Sequence, residues 1–286
     1  MRSRAAYLYL LPILIGLTVF TAGPIVASLG LSFTQFDIGA APKFIGTQNY
    51  SEFLNSALFW QVASNTIYYA LLYVPSSIAV SLGLALLVEK RIRGIAFFRT
   101  IFFLPVVTSM VAAAIIWSWM YNSDVGLLNY LLSMIGIDGP KWLQNPHSAL
   151  PAIAIMSIWK NAGYNMMIFL AGLSNIPKDY YEAARLDGSS AWNRFLHITL
   201  PMLSPVTFFV LVVTTIGAFQ VFEQTFVMTN GGPGVSTLTL SYYIWQTAFR
   251  FFNLGGASAL GYLFFLLVLA VTALQFLARK KWVFQQ

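Results

Sequence analysis

The sequence predicts an all-α membrane protein with six transmembrane helices and both termini in the cytoplasm. This prediction depends on the apolar composition, on the length of the apolar runs and on the distribution of basic residues. Of 286 residues, 58% are apolar and only 9% are charged, whereas soluble domains usually carry about a quarter charged residues. Water could not wet a surface so poor in charge, so lipid is the expected solvent.

Six apolar runs have about the 20 residues needed to cross a bilayer. The expected spans are residues 7–33, 65–88, 101–119, 149–173, 202–226 and 256–277. Two arginines precede the first run, as in a signal peptide. That run is too long for the apolar part of a signal peptide, and no clear small-residue cleavage site follows it. We therefore predict a retained anchor helix.

Basic residues set the orientation, because they accumulate in cytoplasmic loops. With the N-terminus inside, the cytoplasmic set is Arg2, Arg4, Lys90, Arg91, Arg93, Arg99, Lys178, Arg185, Arg194, Arg279, Lys280 and Lys281. The outer set is Lys43, Lys141 and Arg250. This placement in short loops explains the formal charge of +7 as membrane topology rather than nucleic-acid binding. Amphipathic pieces are expected near the outer surface at residues 50–63, 125–134 and 240–252.

The cytoplasmic segment at residues 176–201 carries the most specific pattern in the chain. Pro177 suits a first helical position, and Gly188 can take the left-handed conformation that ends a helix. Ser189 or Ser190 can cap a second short helix. We therefore predict a helix, a glycine break, a second helix and a proline that leads into the fifth span. On these grounds alone, an ordinary amphipathic connector is favoured.

The same segment resembles the EAA loop of the permease subunits of ABC importers. The pattern is Glu182-Ala183-Ala184, three residues, Gly188, nine residues, Ile198, one residue, and Leu200-Pro201. In that family the loop is the coupling helix, which docks into a groove on the ATPase subunit. The resemblance implies an ATPase-coupling role for Glu182, Ala183, Ala184, Arg185, Asp187 and Gly188.

The resemblance extends from the second span to the C-terminus. Segments 103–132, 221–249 and 254–266 resemble the carbohydrate branch, found in maltose, trehalose and glycerol-phosphate importers. The resemblance implies the type I ABC importer transmembrane fold, with an anchor helix and outer segment at 1–64 and the permease domain at 65–286. It also implies import of a sugar or sugar-like solute across the cytoplasmic membrane of a prokaryote.

The implied partners are a second homologous permease, two ATP-binding subunits and an extracytoplasmic solute-binding protein, besides membrane lipid. ATP and Mg²⁺ would be bound by the ATP-binding subunits. This chain has no G-x-x-x-x-G-K-[ST] phosphate loop, no HExxH and no cysteine. We therefore expect it to be no enzyme and to hold no cofactor, metal or nucleic acid. His147 and His197 are expected in surface loops.

Polar residues inside spans usually face a cavity or a partner helix. Those expected on the solute pathway are Asn161, Tyr164, Asn165, Gln220 and Gln224. Amides bond sugar hydroxyls and aromatic rings stack on sugar faces, but the same residues could instead tie helices together across the interface between two subunits. For Lys160 and Glu223, structural pairing or an outer-leaflet location is favoured. An interfacial aromatic belt is expected at the outer end of the third span, formed by Trp117, Trp119 and Tyr121.

The alternatives to a permease are an ion-coupled secondary transporter and an intramembrane enzyme. An ion-coupled secondary transporter needs a carboxylate buried at mid-membrane, for which Glu223, late in its span, is the only candidate. An intramembrane enzyme needs paired aspartates, a Ser/His set or a metal cluster in the spans, and the sequence offers none.

Overall fold

The computed structural model describes residues 2–89 and 94–284, with the side chains of the first helix described from residue 9. The helices before the gap are α1 (Arg2–Leu17), α2 (Gly23–Ser32), α3 (Gln48–Asn55) and α4 (Ala57–Glu89). Those after it are α5 (Ile95–Val107), α6 (Met110–Met120), α7 (Leu127–Met134), α8 (Pro146–Ser174), α9 (Lys178–Leu186), α10 (Ala191–Arg194), α11 (Leu200–Phe219), α12 (Glu223–Thr229), α13 (Leu240–Trp245) and α14 (Leu254–Trp282). Lys90, Arg91 and Arg93, which contribute to the predicted orientation, lie outside the described residues, as does Gln286.

Several helices meet the length and apolarity needed to cross a membrane. Within the described residues, four helices qualify, namely Tyr9–Ser32, Ala57–Glu89, Ala191–Phe219 and Leu254–Trp282. The pair α5 and α6 makes a fifth if it is one bent span. The predicted fourth span corresponds to α8, which has 29 residues and contains Lys160. A mostly helical protein with several membrane spans is therefore confirmed, and the number six stays a prediction.

The helix that contains the predicted fifth span begins earlier and ends sooner than expected. The short helix α10 begins at Ala191, as predicted, but it continues into α11 without a break, so that Ala191–Phe219 is one helix of 29 residues. A π turn at Phe195–Thr199 joins its two parts just before Pro201. In a regular helix, a proline ring clashes with the carbonyl four residues earlier. The wider π turn lies just before Pro201, where this clash would occur. His197 lies within this turn rather than in a loop.

Three further expectations differ from the structure. The second span begins at Ala57 rather than at residue 65, because only Ser56 separates α3 from α4. The fifth span ends at Phe219, and a separate helix, α12, follows. His147 lies in the first turn of α8, where Asn145 caps the helix by accepting a hydrogen bond from its backbone N–H at 2.9 Å. Both histidines are exposed, as predicted.

One compact unit comprises residues 2–60 and 243–267. It contains a short antiparallel ribbon, β1 (Thr34–Gln35) paired with β2 (Lys43–Phe44), so the chain is not purely α. The buried side-chain amide of Asn49, in α3, donates to the carbonyl oxygens of Ser32 and Thr34, each at 2.9 Å. This amide therefore connects α3 to the end of α2 and the start of the ribbon.

The second compact unit comprises residues 61–242 and 268–284 and holds the polar residues singled out from the sequence. Its core forms where α4, α8 and α11 meet, and its buried members are Ala85, Val88, Met166, Phe169, Leu173, Ile176, Leu203 and Val210. Because lipid tails are as apolar as these side chains, van der Waals packing rather than exclusion of water holds the three helices together. Packing among these three helices positions the functional residues of α8.

Candidate functional site

The asparagines of α8 bond to two neighbouring helices. Asn161 and Asn165 are four residues apart and therefore share a helix face. The Nδ2 of Asn165 donates to Ser77 Oγ at 3.3 Å and to Thr214 Oγ1 at 3.1 Å. The Nδ2 of Asn161 donates to the hydroxyl oxygen of Tyr73 at 3.1 Å. These amides therefore tie helices together within this chain, whereas the expected alternative placed such contacts across the subunit interface.

The five predicted pathway residues also line one cavity of about 410 Å³, which we call the central cavity. Its lining residues are Tyr69, Tyr73, Met110, Asn161, Tyr164, Asn165, Val213, Thr214, Gly217, Gln220, Val221, Phe222, Glu223 and Gln224. The cavity exists because α11 ends at Phe219 and the chain turns into α12, which leaves space beside α4 and α8. Polar residues that the sequence places in two spans thus meet at a single site.

Two tyrosines that line the cavity were not predicted from the sequence. Tyr69 and Tyr73 of α4 stack with ring centroids 5.5 Å apart and an interplanar angle of 11°. Their spacing of four residues places both on one helix face, which was the available signal. Within an apolar span they resemble ordinary core aromatics. Both tyrosines border the central cavity but are buried, so most of their ring surface packs inside the protein.

Gln224 and Glu223 point in different directions although they are adjacent. Gln224 is buried, and its Nε2 donates to Ser157 Oγ of α8 at 3.4 Å. Glu223 is exposed where α12 begins and lines the central cavity. The amide therefore joins α12 to α8, whereas the carboxylate is open to whatever occupies the cavity.

The predicted third span is broken. Helices α5 and α6 are bent by 99° across Thr108 and Ser109. Pro105 lacks the N–H that would bond the carbonyl four residues earlier. At the break, the Thr108 hydroxyl donates a hydrogen bond to the Pro105 carbonyl oxygen at 2.6 Å. A proline followed by a residue that bonds back to it accounts for an end to α5 at this point.

Lys160 of α8 meets the end of the broken helix. Only 5% of its surface is exposed, and its Nζ donates to the Val106 carbonyl oxygen at 3.0 Å. That carbonyl lacks a helical partner because α5 stops one residue later. Glu223 interacts with Lys160 electrostatically. Lys160 thus has a structural partner, as expected, but the group that accepts its hydrogen bond is a backbone carbonyl.

Close packing of α5 against α8 holds Lys160 next to the Val106 carbonyl oxygen. Gly163 lies three residues beyond Lys160 on α8, and a Cβ on it would overlap the carbonyl oxygen of Phe102. The two backbones therefore touch at Gly163, one turn away from the bond between Lys160 and Val106.

The aromatic residues at the end of α6 have different environments. Trp119 is exposed, as an interfacial residue should be. Tyr121 is 2% exposed, and its hydroxyl donates to the carbonyl oxygen of Ala152 at 2.9 Å. Trp117 packs between Tyr121 and Trp159. For Tyr121 the expected interfacial belt is therefore wrong, because its hydroxyl has a partner inside the fold.

The segment that resembles the EAA loop forms the predicted helix and break. Helix α9 is preceded by Pro177 at its N-cap, one position earlier than predicted. Gly188 has φ 73°, the left-handed conformation that glycine adopts without strain. Ser190 accepts a hydrogen bond from the N–H of Asn193 at 3.2 Å and caps the next helix. Of the two serines considered, Ser190 is therefore the cap.

The loop presents a surface that is apolar and open. Leu186 is 90% exposed, and Ala183 and Gly188 are also exposed. The Tyr181 hydroxyl lies 2.9 Å from Thr199 Oγ1, which fastens α9 to the long helix that follows. Leu186 was not singled out from the sequence, although an apolar residue beside a charged helix end is a visible signal. The remaining predicted members, Glu182, Ala184, Arg185 and Asp187, lie on the same short helix or at its C-cap.

Long apolar helices, a polar cavity between them and an exposed connecting helix are features expected of a membrane transport subunit. The chain matches the family described as "Binding-protein-dependent transport system inner membrane component" over residues 59–283. It belongs to that family, and the predicted resemblance to ABC importer permeases is confirmed. The protein is accordingly a multi-pass inner-membrane protein, and the ion-coupled secondary transporter is not supported.

Curated relatives match along almost the whole chain. The probable ABC transporter permease protein YesP of Bacillus subtilis is 41% identical over 98% of this chain and 91% of its own length. The lactose transport system permease protein LacF of Rhizobium radiobacter is 39% identical over 96% of this chain and 94% of its own. The trehalose/maltose transport system permease protein MalF of Thermococcus litoralis is 36% identical over 94% and 92%.

Solved structures share the fold. A bacterial ABC transporter that imports the acidic polysaccharide alginate superposes with a TM-score of 0.84 at 24% identity, covering 98% of this chain and 96% of that one. The same class of transporter in complex with an alginate pentasaccharide-bound periplasmic protein gives a TM-score of 0.85 at 23% identity, over 98% and 95%. Sequence identities at this level support a common fold and do not identify the solute.

Proposed function

We propose that this chain is the permease subunit through which an ATP-driven importer moves a sugar, with the central cavity as the solute pathway. The observation that carries the proposal is that five polar residues from different helices line that one cavity. The solutes named for the relatives and the solved structure range from lactose to an acidic polysaccharide. A carbohydrate is therefore the solute class that best fits this chain.

The chemistry of the cavity suits a sugar. The exposed side-chain amide of Gln220 can donate to and accept from hydroxyl groups. The amide N–H groups of Asn161 and Asn165 bond within the protein, so these two residues offer their side-chain oxygens as acceptors. The ring of Tyr164, which lines the cavity and is exposed, offers an apolar face for a pyranose. A cavity of about 410 Å³ is within the size range of small-molecule sites.

The proposed assembly pairs this chain with a second permease, two ATP-binding subunits and an extracytoplasmic solute-binding protein in a prokaryotic cell. With six spans and both termini in the cytoplasm, as the distribution of basic residues favours, the EAA-like loop would lie on the side of the ATPase. This chain would itself hydrolyse no ATP, since ATP and Mg²⁺ would be held by the ATP-binding subunits.

The loop at residues 176–201 is proposed as the coupling element. Its open side carries Ala183, Leu186 and Gly188, which are small or apolar and can approach another protein closely. On the other side of α9, Glu182 and Arg185 line a cleft of about 460 Å³ with Glu89 and Thr199. The helix thus has a free face for an ATPase groove and a face already fixed to its own subunit.

The experiment is uptake of labelled lactose, trehalose and maltose by cells that carry the whole importer. Asn165→Leu and Gln224→Leu should reduce uptake at least about tenfold while the complex still assembles, because a site that bonds hydroxyls loses those bonds. Asn55→Leu is the control, because Asn55 is exposed at the end of α3 outside the lining residues. Normal transport by both cavity variants would exclude the cavity as the pathway.

A further inference from the structure

The central cavity has an unbalanced charge. Among the described residues that line it, Glu223 is the single ionisable acid or base apart from tyrosines. It is exposed at the start of α12, on the cavity side. The other polar lining groups are neutral amides and hydroxyls. A solute in the cavity therefore contacts one carboxylate and otherwise uncharged hydrogen-bonding groups among the described lining residues.

The neighbouring positive charge is turned away from the solute. Lys160 interacts electrostatically with Glu223 but is not among the lining residues. Its ammonium is buried and donates to the Val106 carbonyl oxygen at the end of α5. The lysine thus lowers the cost of holding a carboxylate here, while only the carboxylate is open to the cavity.

We infer that Glu223 makes the solute pathway selective for uncharged sugars and against sugars that carry a carboxylate or sulfonate. The inference rests on the central cavity being the pathway. It adds a property that the comparisons do not determine, because the solutes named for the relatives and the solved structure include both lactose and an acidic polysaccharide.

The physical reason is that a fixed charge acts strongly in a narrow cleft with low-dielectric walls. The field of the carboxylate is screened less there than at an open surface, and it lowers the local concentration of anions. An uncharged sugar has no such barrier and keeps its bonds to the amides. A carboxylate can also accept hydrogen bonds from sugar hydroxyls, so Glu223 contributes to binding the neutral solute.

The absence of cysteine from the sequence permits a direct measurement of this charge. Gly217 lines the cavity, and a Cβ on it would have no heavy atom within 4 Å, so Gly217→Cys is sterically tolerated. Membranes containing the full chain and its transport partners are treated with a cationic trimethylammonium methanethiosulfonate and with an anionic sulfonate analogue. The ratio of the two reaction rates, divided by the same ratio for 2-mercaptoethanol, reports the local potential.

The expected result is a ratio above one for Gly217→Cys that falls about tenfold when Glu223→Gln is added. Glu89→Gln is the matched control. Glu89 lies sixteen residues beyond Tyr73 on α4, about 24 Å along the helix, which exceeds the Debye length at physiological salt. That control should leave the ratio unchanged. A ratio that Glu223→Gln does not change, or that Glu89→Gln lowers equally, overturns the inference.

A second position separates this inference from the proposed pathway. Gln220 also lines the cavity and is exposed, so Gln220→Cys is tested in parallel in case the first variant does not fold. If neither thiol reacts with either reagent although the complex assembles, the cavity is closed to water and both the pathway and the charge selectivity fail. If the thiols react but Glu223→Gln has no effect on the ratio, only the charge selectivity fails.

Discussion

The ammonium of Lys160 donates a hydrogen bond to the carbonyl oxygen of Val106, 3.0 Å away, where α5 ends within a broken membrane segment. A lysine buried among apolar helices is normally costly. Here it satisfies a carbonyl that the bend leaves without a helical partner, and it has Glu223 as a countercharge. Lys160 therefore stabilises the break between α5 and α6.

Replacement of this lysine should destabilise the protein. Lys160→Met keeps an unbranched chain but leaves the Val106 carbonyl unsatisfied, which costs about 1–3 kcal/mol. Thermal unfolding of the purified importer measures the change. Lys141→Met, at an exposed lysine, is the control and should unfold like the unaltered protein. Equal melting of the two variants would contradict the role given to the bond.

Gly163 should tolerate no side chain. The Cβ of Gly163→Ala would overlap the Phe102 carbonyl oxygen, so α5 and α8 must separate. Overpacking of this kind costs about 1–3 kcal/mol. Gly83→Ala is the control in α4, because its Cβ would have no heavy atom within 4 Å and alanine is the better helix former. If both variants melt at the same temperature, the close backbone contact is not present.

Gly188→Val should impair coupling without preventing insertion. A β-branched residue disfavours the positive φ by about 1–2 kcal/mol and adds bulk on the open face of the loop. The measurements are retention of the ATPase on purification, ATP hydrolysis stimulated by the loaded binding protein, and uptake. Glu182→Lys is the companion variant, which reverses a charge while φ at residue 188 stays free. Three wild-type values for Gly188→Val would refute the coupling role.

Topology is tested by thiol labelling. Asn145 caps α8 through the N–H of His147, so the outer cysteine is better placed at Gln144, which is exposed. We expect Gln144→Cys to react with a membrane-impermeant maleimide only from outside. Ala183→Cys and Gln286→Cys should react only from the cytoplasm, because basic residues concentrate on that side. Labelling of Gln144→Cys only from within would reverse the orientation.

The features predicted well are those with local causes. The end of α9 at a left-handed Gly188 and the cap at Ser190 depend on the chain within a few residues. The grouping of Asn161, Asn165 and Gln224 around one cavity also follows from the rarity of polar residues in apolar spans.

The features missed depend on contacts between distant segments. The carbonyl partner of Lys160 lies 54 residues away in sequence, and no local pattern identifies it. Tyr69 and Tyr73 look like core aromatics until α8 and α12 leave a cavity beside them. The hydroxyl of Tyr121 is buried because Ala152 supplies an acceptor, which the composition of the third span does not reveal.

The unbroken helix from Ala191 to Phe219 has a mechanical consequence. At 29 residues it is about 43 Å long, and α9 is fastened near its first turns through Tyr181 and Thr199. Its other end lies beside Gln220 at the central cavity. A rod of this length that tilts by about 5° about one end moves the other by about 4 Å, more than the width of a water molecule. A rotation of this size at residues 176–201 is therefore large enough to open or shut the space in which the sugar would sit.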